Sequence, residues 1–411
     1  MRQNIEFLDV PGWIMALLLG LLLAACNPSD AQSHKMPADL AKTPAKIEEQ
    51  LAFTCAYEKD RIPERDPEAD MLFEHANWRY KKNLLKEDEA VYPEAERLYR
   101  IATAWGHDKA ANNLALMIMR GYTGSGDRIT KPVDIAEDLI GRGIPHGYYL
   151  MGFMLTKGYG VKHDDKAALQ YFRKAADLGD PEAQFFVGEK LESMTIKFPV
   201  SFAIGEAMKR CAADQGHAQA AIDTAIGLMN NAERTHKSDE KAKLYSEALK
   251  YLQIATKSGS PSGPSMLWNG FNGPPPDDGL YYMGQAKDEE RVARYKAIGK
   301  VLHGYDYAGA KVPEIDEICP LPPAKLPPWD GEIEWVKKWK KNEAPPLPSE
   351  ERIAEMALEK SLNPETGLPV KIDLQGVRLL DPKTGERMRL KLETEKLVNR
   401  LLRKMAAAAS K

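Results

Sequence analysis

The sequence is short of three things, and each shortage narrows what the chain can do. It lacks charge of one sign: 57 Lys and Arg against 60 Asp and Glu over 411 residues leave a formal net charge of −3. Gripping a phosphate backbone takes a concentrated basic face, so no nucleic-acid partner is expected. It has little cysteine, four residues in all (Cys26, Cys55, Cys211, Cys319), with no C-x-x-C and no Cys/His cluster. That spacing removes zinc-ribbon and thioredoxin-like chemistry. It also lacks the local signatures of catalysis, since no G-x-S-x-G, H-E-x-x-H or G-x-x-x-x-G-K-[ST] occurs. Acidic pairs such as Asp164-Asp165 and Asp277-Asp278 are present, but nothing separates them from solvated loop acids. The chain is therefore not read as an enzyme, and no catalytic residue, metal or cofactor is assigned to it. What it does have is 43% hydrophobic and 28% charged residues, the balance of a folded body of about two domains or one long repeat array.

Long apolar runs are scarce as well. The one that raises a membrane question is Ile14–Ala25, followed at once by Cys26. As a helix it would rise about 18 Å, too little for a hydrocarbon core of about 30 Å. It reads as the apolar core of a secretory signal. Leu23-Ala24-Ala25-Cys26 resembles the lipobox of bacterial lipoproteins, which implies cleavage after residue 25 and lipid attachment at Cys26. The alternative is an ordinary signal peptide with a chance cysteine. The leading segment departs from the usual positive flank, because Arg2 is offset by Glu6 and Asp9. Asn27 stands where aspartate favours inner-membrane retention, so the resemblance implies an outer-membrane lipoprotein facing the periplasm. Residues 26–50 are polar, carry Pro28, Pro37 and Pro44, and suit a flexible tether.

The strongest internal signal is a repeat. Gly106, Gly143, Gly179, Gly216 and Gly259 are spaced 37, 36, 37 and 43 residues apart. Four residues after each stands a small residue: Ala110, Gly147, Ala183, Ala220 and Gly263. Nine after the first four come Ala115, Gly152, Gly188 and Ala225, and twelve after come Ile118, Leu155, Leu191 and Leu228. Small residues let helix backbones approach closely, the aliphatic ridge fills the groove to the next pair, and the glycine ends a helix in the left-handed conformation. Asp180-Pro181-Glu182 reads as a helix start, and Asp66-Pro67-Glu68 opens a further pair upstream. GHDKAANNLA at Gly106, GYGVKHDDKAALQYFRKAADLGDPEAQ from Gly158 and CAADQGHAQAA from Cys211 resemble the Sel1-like repeat, a relative of the tetratricopeptide repeat. The resemblance implies an all-α, right-handed superhelical α-solenoid of helical pairs over residues 51–272. It also implies a structural role for His107 and His217, which directly follow repeat glycines.

Downstream, nine prolines between Pro313 and Pro348 rule out helix or central strand, while Ile315, Ile318, Leu321, Leu326, Trp329 and Trp335 call for burial. A polyproline-like strap along the last repeats reconciles the two. Short helices are expected around it, from Asp288 to His303 and again after Ser349. LPPAKLPPWDG and NPETGLPV resemble a domain of unknown function, placed here at 273–370, that follows Sel1-like repeats in proteobacterial lipoproteins. Members of that group are often encoded beside type VI secretion phospholipase effectors and look like their periplasmic immunity proteins. Asp381-Pro-Lys-Thr-Gly in the tail, 371–411, repeats the turn chemistry of Asn363-Pro-Glu-Thr-Gly eighteen residues earlier, and a basic helix follows from Met388 to Met405. Its stripe of Leu390, Leu397, Leu401 and Met405 suits either anionic lipid or packing against the protein itself.

Tetratricopeptide geometry, carried over, puts the partner-facing positions three, six, ten and thirteen residues past each glycine. These are Asn112 and Leu116; His146, Tyr149 and Phe153; Glu182, Phe185 and Glu189; Ile222 and Ile226. Aromatics beside carboxylates suit an interface hot spot, whereas core packing is the competing role for Phe153 and Ile226. FTCAYE and KRCAADQG recur with cysteine in related chains, which implies a Cys55–Cys211 bridge; two buried thiols remain the alternative. The expected function is a periplasm-facing lipoprotein that binds and neutralises a partner protein, a secreted phospholipase toxin by resemblance. An envelope scaffold for cell-wall or secretion machinery is the competing class.

Overall fold

The computed structural model describes residues 51–124, 131–194 and 199–409. Six helical pairs follow one another: α1 (Pro67–Asn83) with α2 (Tyr92–Ala104), α3 (Asp108–Arg120) with α4 (Lys131–Gly141), α5 (Pro145–Lys157) with α6 (Asp165–Leu178), α7 (Pro181–Ser193) with α8 (Pro199–Asp214), α9 (Ala218–Arg234) with α10 (Ser238–Lys257), and α11 (Ser262–Phe271) with α12 (Glu289–Gly304). This is the all-α solenoid read from the repeat.

Each repeat glycine is left-handed, with φ between +74° at Gly143 and +108° at Gly179. The chain therefore reverses at each of them without a Cβ clash. The small residues sit where helices touch. A Cβ on Gly147 would lie 2.6 Å from Leu139 Cβ, and one on Gly263 would lie 2.8 Å from the Thr256 nitrogen. Between these contacts three of the four ridge residues are buried, Ile118 at 0%, Leu191 at 6% and Leu228 at 4% exposed, while Leu155 is half-buried.

The strap runs over the end of the array. Ile315, Cys319, Ile333 and Val336 are buried in the same core as α9–α12, and Ile318, Leu321, Leu326, Trp329 and Trp335 pack against it. A proline-rich strap forms no ladder, so its carbonyls need other donors. Two buried arginines of α12 supply them. Arg291 donates to the Pro320 and Ala324 carbonyls, and Arg294 to those of Ile318 and Pro327.

Contrary to the exclusion of helix between Pro313 and Pro348, the proline-free runs 314–319 and 329–344 form two short helices, α13 (Ile315–Ile318) within the strap and α14 (Glu334–Lys341) after it, and α15 (Glu350–Glu359) then starts on Ser349 as N-cap. These elements lead the chain back to its first helical pair. Lys82 Nζ donates to the Trp339 carbonyl at 2.6 Å and lies 3.8 Å above that indole ring. His75 Nδ1–H donates to the Pro345 carbonyl at 2.8 Å. Ile353, Met356 and Ala357 of α15 enter the core of α1, α2 and α3. The two ends of the array are thus tied together by the C-terminal block.

The tail contains one feature absent from the sequence reading, a two-stranded antiparallel hairpin of β1 (Lys371–Asp373) and β2 (Arg378–Leu380). Helix α16 (Leu392–Ala409) follows. Val398, Leu401 and Leu402 share a small core with Ala354, Leu358, Val370 and Leu379. The basic helix therefore packs on its own protein. Among the described residues, no helix is long and apolar enough to cross a membrane.

Candidate partner-binding groove

Successive repeats are joined by a histidine–carboxylate hydrogen bond at their helix starts. His107 caps α3, its Nδ1 accepting from the Ala110 amide, and its Nε2–H donates to Asp70 at 3.1 Å. His217 caps α9 in the same way, accepting from Ala220, and donates to Glu182 at 3.2 Å. At the joint between them acid and base exchange places. Asp180, fully buried, caps α7 through Oδ1 and takes the His146 Nδ1–H on Oδ2 at 2.7 Å. An aromatic three residues past the earlier member of each pair stacks on the histidine: Phe185, after Glu182, on His217 at 4.6 Å, and Tyr149, after His146, on His146 itself at 5.3 Å.

His146 also donates from Nε2 to Asn112 at 3.1 Å, so both ring nitrogens are engaged as donors. Burial opposes the cation there. The Asp180 charge and hydrogen bond, followed by the charges of Glu58 and Glu182, outweigh it and raise the imidazole to about 9. Glu58 is raised to about 7, chiefly by burial and then by Asp180. Glu58, His146 and Asp180 bring ligand atoms within 4.8 Å of one another, the one trio of that kind among the described residues. An imidazolium donating from both nitrogens has no lone pair for a metal, and the trio serves as a joint.

This joint sets a pH dependence. Both groups are raised, so their contributions share one sign. The Glu58 contribution is present below about 4.5 and lost as pH rises through about 7, and that of His146 is present below about 6.5 and lost through about 9. The denaturation midpoint is expected to fall between pH 6.5 and 9.5, by the equivalent of about 2–3 kcal/mol, and a His146→Gln chain should lose most of that slope. A midpoint that stays level or rises over the window contradicts this account of the joint.

A second brace lies along the glycine edge. Residues 51–66 run back across the array: Arg173 holds the Ala52 carbonyl at 2.7 Å, Gln184 and Gln215 donate to the Ala56 carbonyl, and Arg65 pairs with Asp108 at 2.6 Å. Cys55 and Cys211 form a disulfide, with Cα atoms 5.7 Å apart. At Gly179 the brace comes so close that a Cβ would lie 2.6 Å from the Tyr57 carbonyl carbon. Gly179→Ala is expected to cost about 2–4 kcal/mol, combining the left-handed backbone with a backbone clash. Gly143→Ala, where nothing lies within 4 Å, should cost only about 1–2 kcal/mol. Equal losses in the two thermal melts would refute the contact.

An open cavity of about 570 Å³ lies between the end of α7, α8 and α9, lined by Glu192, Phe202, Glu206, Lys209, Asp223 and Ile226 among others. Lys209 reaches Glu192 at 2.7 Å and Asp223 at 3.5 Å, while Arg210 turns away to Glu247 at 2.6 Å. Burial first, and then neighbouring Glu192, raises Glu206; burial and then Asp223 raise Glu189, one turn along α7 from Glu192. Lys209 offsets part of both effects.

The sequence-derived candidates divide accordingly. Asn112, His146, Tyr149, Glu182 and Phe185 are brought together in the inter-repeat joints. Phe153 is half-buried against the core of α6–α8, with Lys157 Nζ 5.9 Å above its ring. Glu189 is exposed and Ile226 lines the cavity. Ile222 is a correction: it is 4% exposed within the core around α9 and α10, because its side chain turns towards the packed face rather than outward. The cavity itself was missed because its α8 wall (Phe202, Glu206, Lys209) comes from the second helix of a pair, whereas the transferred positions all lie on the first. Cys26 and the tether lie outside the described residues.

Fold and joints define the class, an α-solenoid of helical pairs tied by capping side chains. The chain carries Sel1 repeats, matched at residues 145–180 and 241–260, and a domain of unknown function, DUF6396, matched at residues 263–370. No curated protein matches it. Among solved structures, it is similar to Pseudomonas aeruginosa 5086 (PA5086), 29% identical over 66% of this chain and 95% of that one, with a TM-score of 0.47. The immunity protein Pa5087 from Pseudomonas aeruginosa is 28% identical, covers 66% of this chain and 95% of that one, and has a TM-score of 0.44. The immunity protein PA5088 from the same organism is 26% identical, with 66% and 94% covered and a TM-score of 0.44.

Proposed function

We propose that this chain is a periplasm-facing lipoprotein, anchored through Cys26, that binds and neutralises a type VI secreted phospholipase effector as its immunity protein. The observation that carries the reading is the union of a Sel1 repeat array with the block around LPPAKLPPWDG, whose resemblance implies that role. The braced architecture suits it. A rigid array offers a partner a preorganised surface, so little ordering entropy is lost on binding. Neutralisation is steric: the protein covers the active-site mouth or the membrane-binding face of the lipase. Anchoring would hold the inhibitor at the surface that the enzyme attacks.

Purification of the tagged chain from its native host, followed by mass spectrometry of what travels with it, tests the partner. The expected result is a near-stoichiometric lipase. Recovery of cell-wall synthesis or secretion-machinery subunits instead would replace immunity with scaffolding.

A further inference from the structure

We propose that the cavity between α7, α8 and α9 is a docking site for a cationic segment of the partner protein, an arginine or lysine flanked by an apolar side chain. The proposal deepens the partner-binding reading and rests on it.

Three observations specify the occupant. The first is unmet acceptor capacity. Among the described residues, the lining carboxylate Glu206 has no hydrogen-bond or ion-pair partner, and the shielded Thr224 hydroxyl on the same wall has none either. The lining cations are already committed: Lys209 lies between Glu192 and Asp223, and Arg210 is drawn to Glu247. A long side chain rich in N–H donors completes this set, and a guanidinium matches carboxylates best.

The second is the spacing of the carboxylates. Glu192 and Asp223 already share the Lys209 ammonium, and among the described residues no three groove acids bring ligand atoms within 4.8 Å of one another, so Glu206 stands outside that pair. The groove acids suit a cation that is itself extended.

The third is the rim. Phe202 is 42% exposed at the mouth and Ile226 is half-buried in the wall, while Ala203 and Ala207 keep α8 low between them. An apolar neighbour of the inserted cation would cover Phe202, and excluding water there would strengthen the charge pairing behind it. A cavity of about 570 Å³ falls within the range of binding pockets that enclose a ligand.

Fluorescence anisotropy of the full processed chain with a fluorescein-labelled hexapeptide of alternating arginine and tryptophan tests the site. The peptide is expected to bind at low ionic strength and weaken steeply at 0.5 M salt (an approximate, high-screening condition). Glu206→Gln, which breaks no contact and so leaves the fold intact, should weaken binding roughly threefold, and Glu206→Gln with Asp223→Asn at least about tenfold. Asp277→Asn with Glu393→Gln removes the same charge from exposed positions elsewhere and should leave affinity unchanged. A hexapeptide of alternating glutamate and tryptophan should not bind. Equal affinity of wild type and both groove variants, or equal loss in the distant control, overturns the proposal. A chain that still protects cells from the lipase but ignores the cationic peptide sinks this site alone. A chain that binds the peptide but gives no protection sinks the immunity reading alone.

Discussion

A chain with both Cys55 and Cys211 replaced by alanine is expected to lose about 4–5 kcal/mol of stability. The two residues are 156 positions apart, and releasing a loop of that length returns this much entropy to the unfolded chain. The effect is also local. The bridge pins residues 51–66 across the joints at Gly179 and Gly216, where the brace is otherwise held by the Ala56 carbonyl, the Glu58 amide bond to Gln215 and the Arg65–Asp108 pair. Reduction of the wild type should reproduce the variant, because Cys319 is buried with its thiol pushed up to about 11, chiefly by burial, and takes no part. Thermal melts with and without reductant make the comparison. Unchanged melting in both the reduced and the double-alanine protein would show that the staple adds nothing.

Replacing Arg294 with methionine should cost about 3–5 kcal/mol, because it strands buried polar groups rather than removing a surface charge. Arg294 is 7% exposed, and its guanidinium serves the Ile318 and Pro327 carbonyls together with Glu290. Methionine fills the space but donates nothing, and the strap offers no neighbouring strand to compensate. Lysine, a single point donor, should recover only part of the loss. Hydrogen exchange ought to show faster opening over 313–336, with α1 to α8 unaffected. Uniform exchange across the strap in wild type and Arg294→Met would mean that the carbonyl clamp does not hold it.

Much of this was legible in the sequence because it depends on short-range chemistry. The glycine register, the small residues four and nine positions on, and the caps at Asp66, Asp180 and Ser349 each carry a local signature, and each occupies the corresponding place in the structure. The strap was legible by contradiction, since its prolines opposed long regular elements while the tryptophans required burial; the short helices α13 and α14 in its proline-free runs were not. Long-range geometry was not legible. Nothing in the run 334–345 announces that Lys82 will meet Trp339 or His75 the Pro345 carbonyl, so the tying of the two ends went unread. The groove positions were misjudged for a related reason. Transferred geometry ranks residues by face, but His146, Glu182 and Phe185 are used between neighbouring repeats, in a contact that no single repeat displays. Ile222 failed more simply, because a shift of a few tens of degrees about a helix axis separates wall from core.

The account joins an array braced along two edges to one proposed act, covering a lipase. Its most direct test is growth of cells that direct a candidate type VI phospholipase effector of the same host to the periplasm, with and without the chain. Survival restored on co-expression, with lipase activity lost as the purified protein is titrated in, is the predicted result. Continued killing with both proteins present at comparable levels would contradict it.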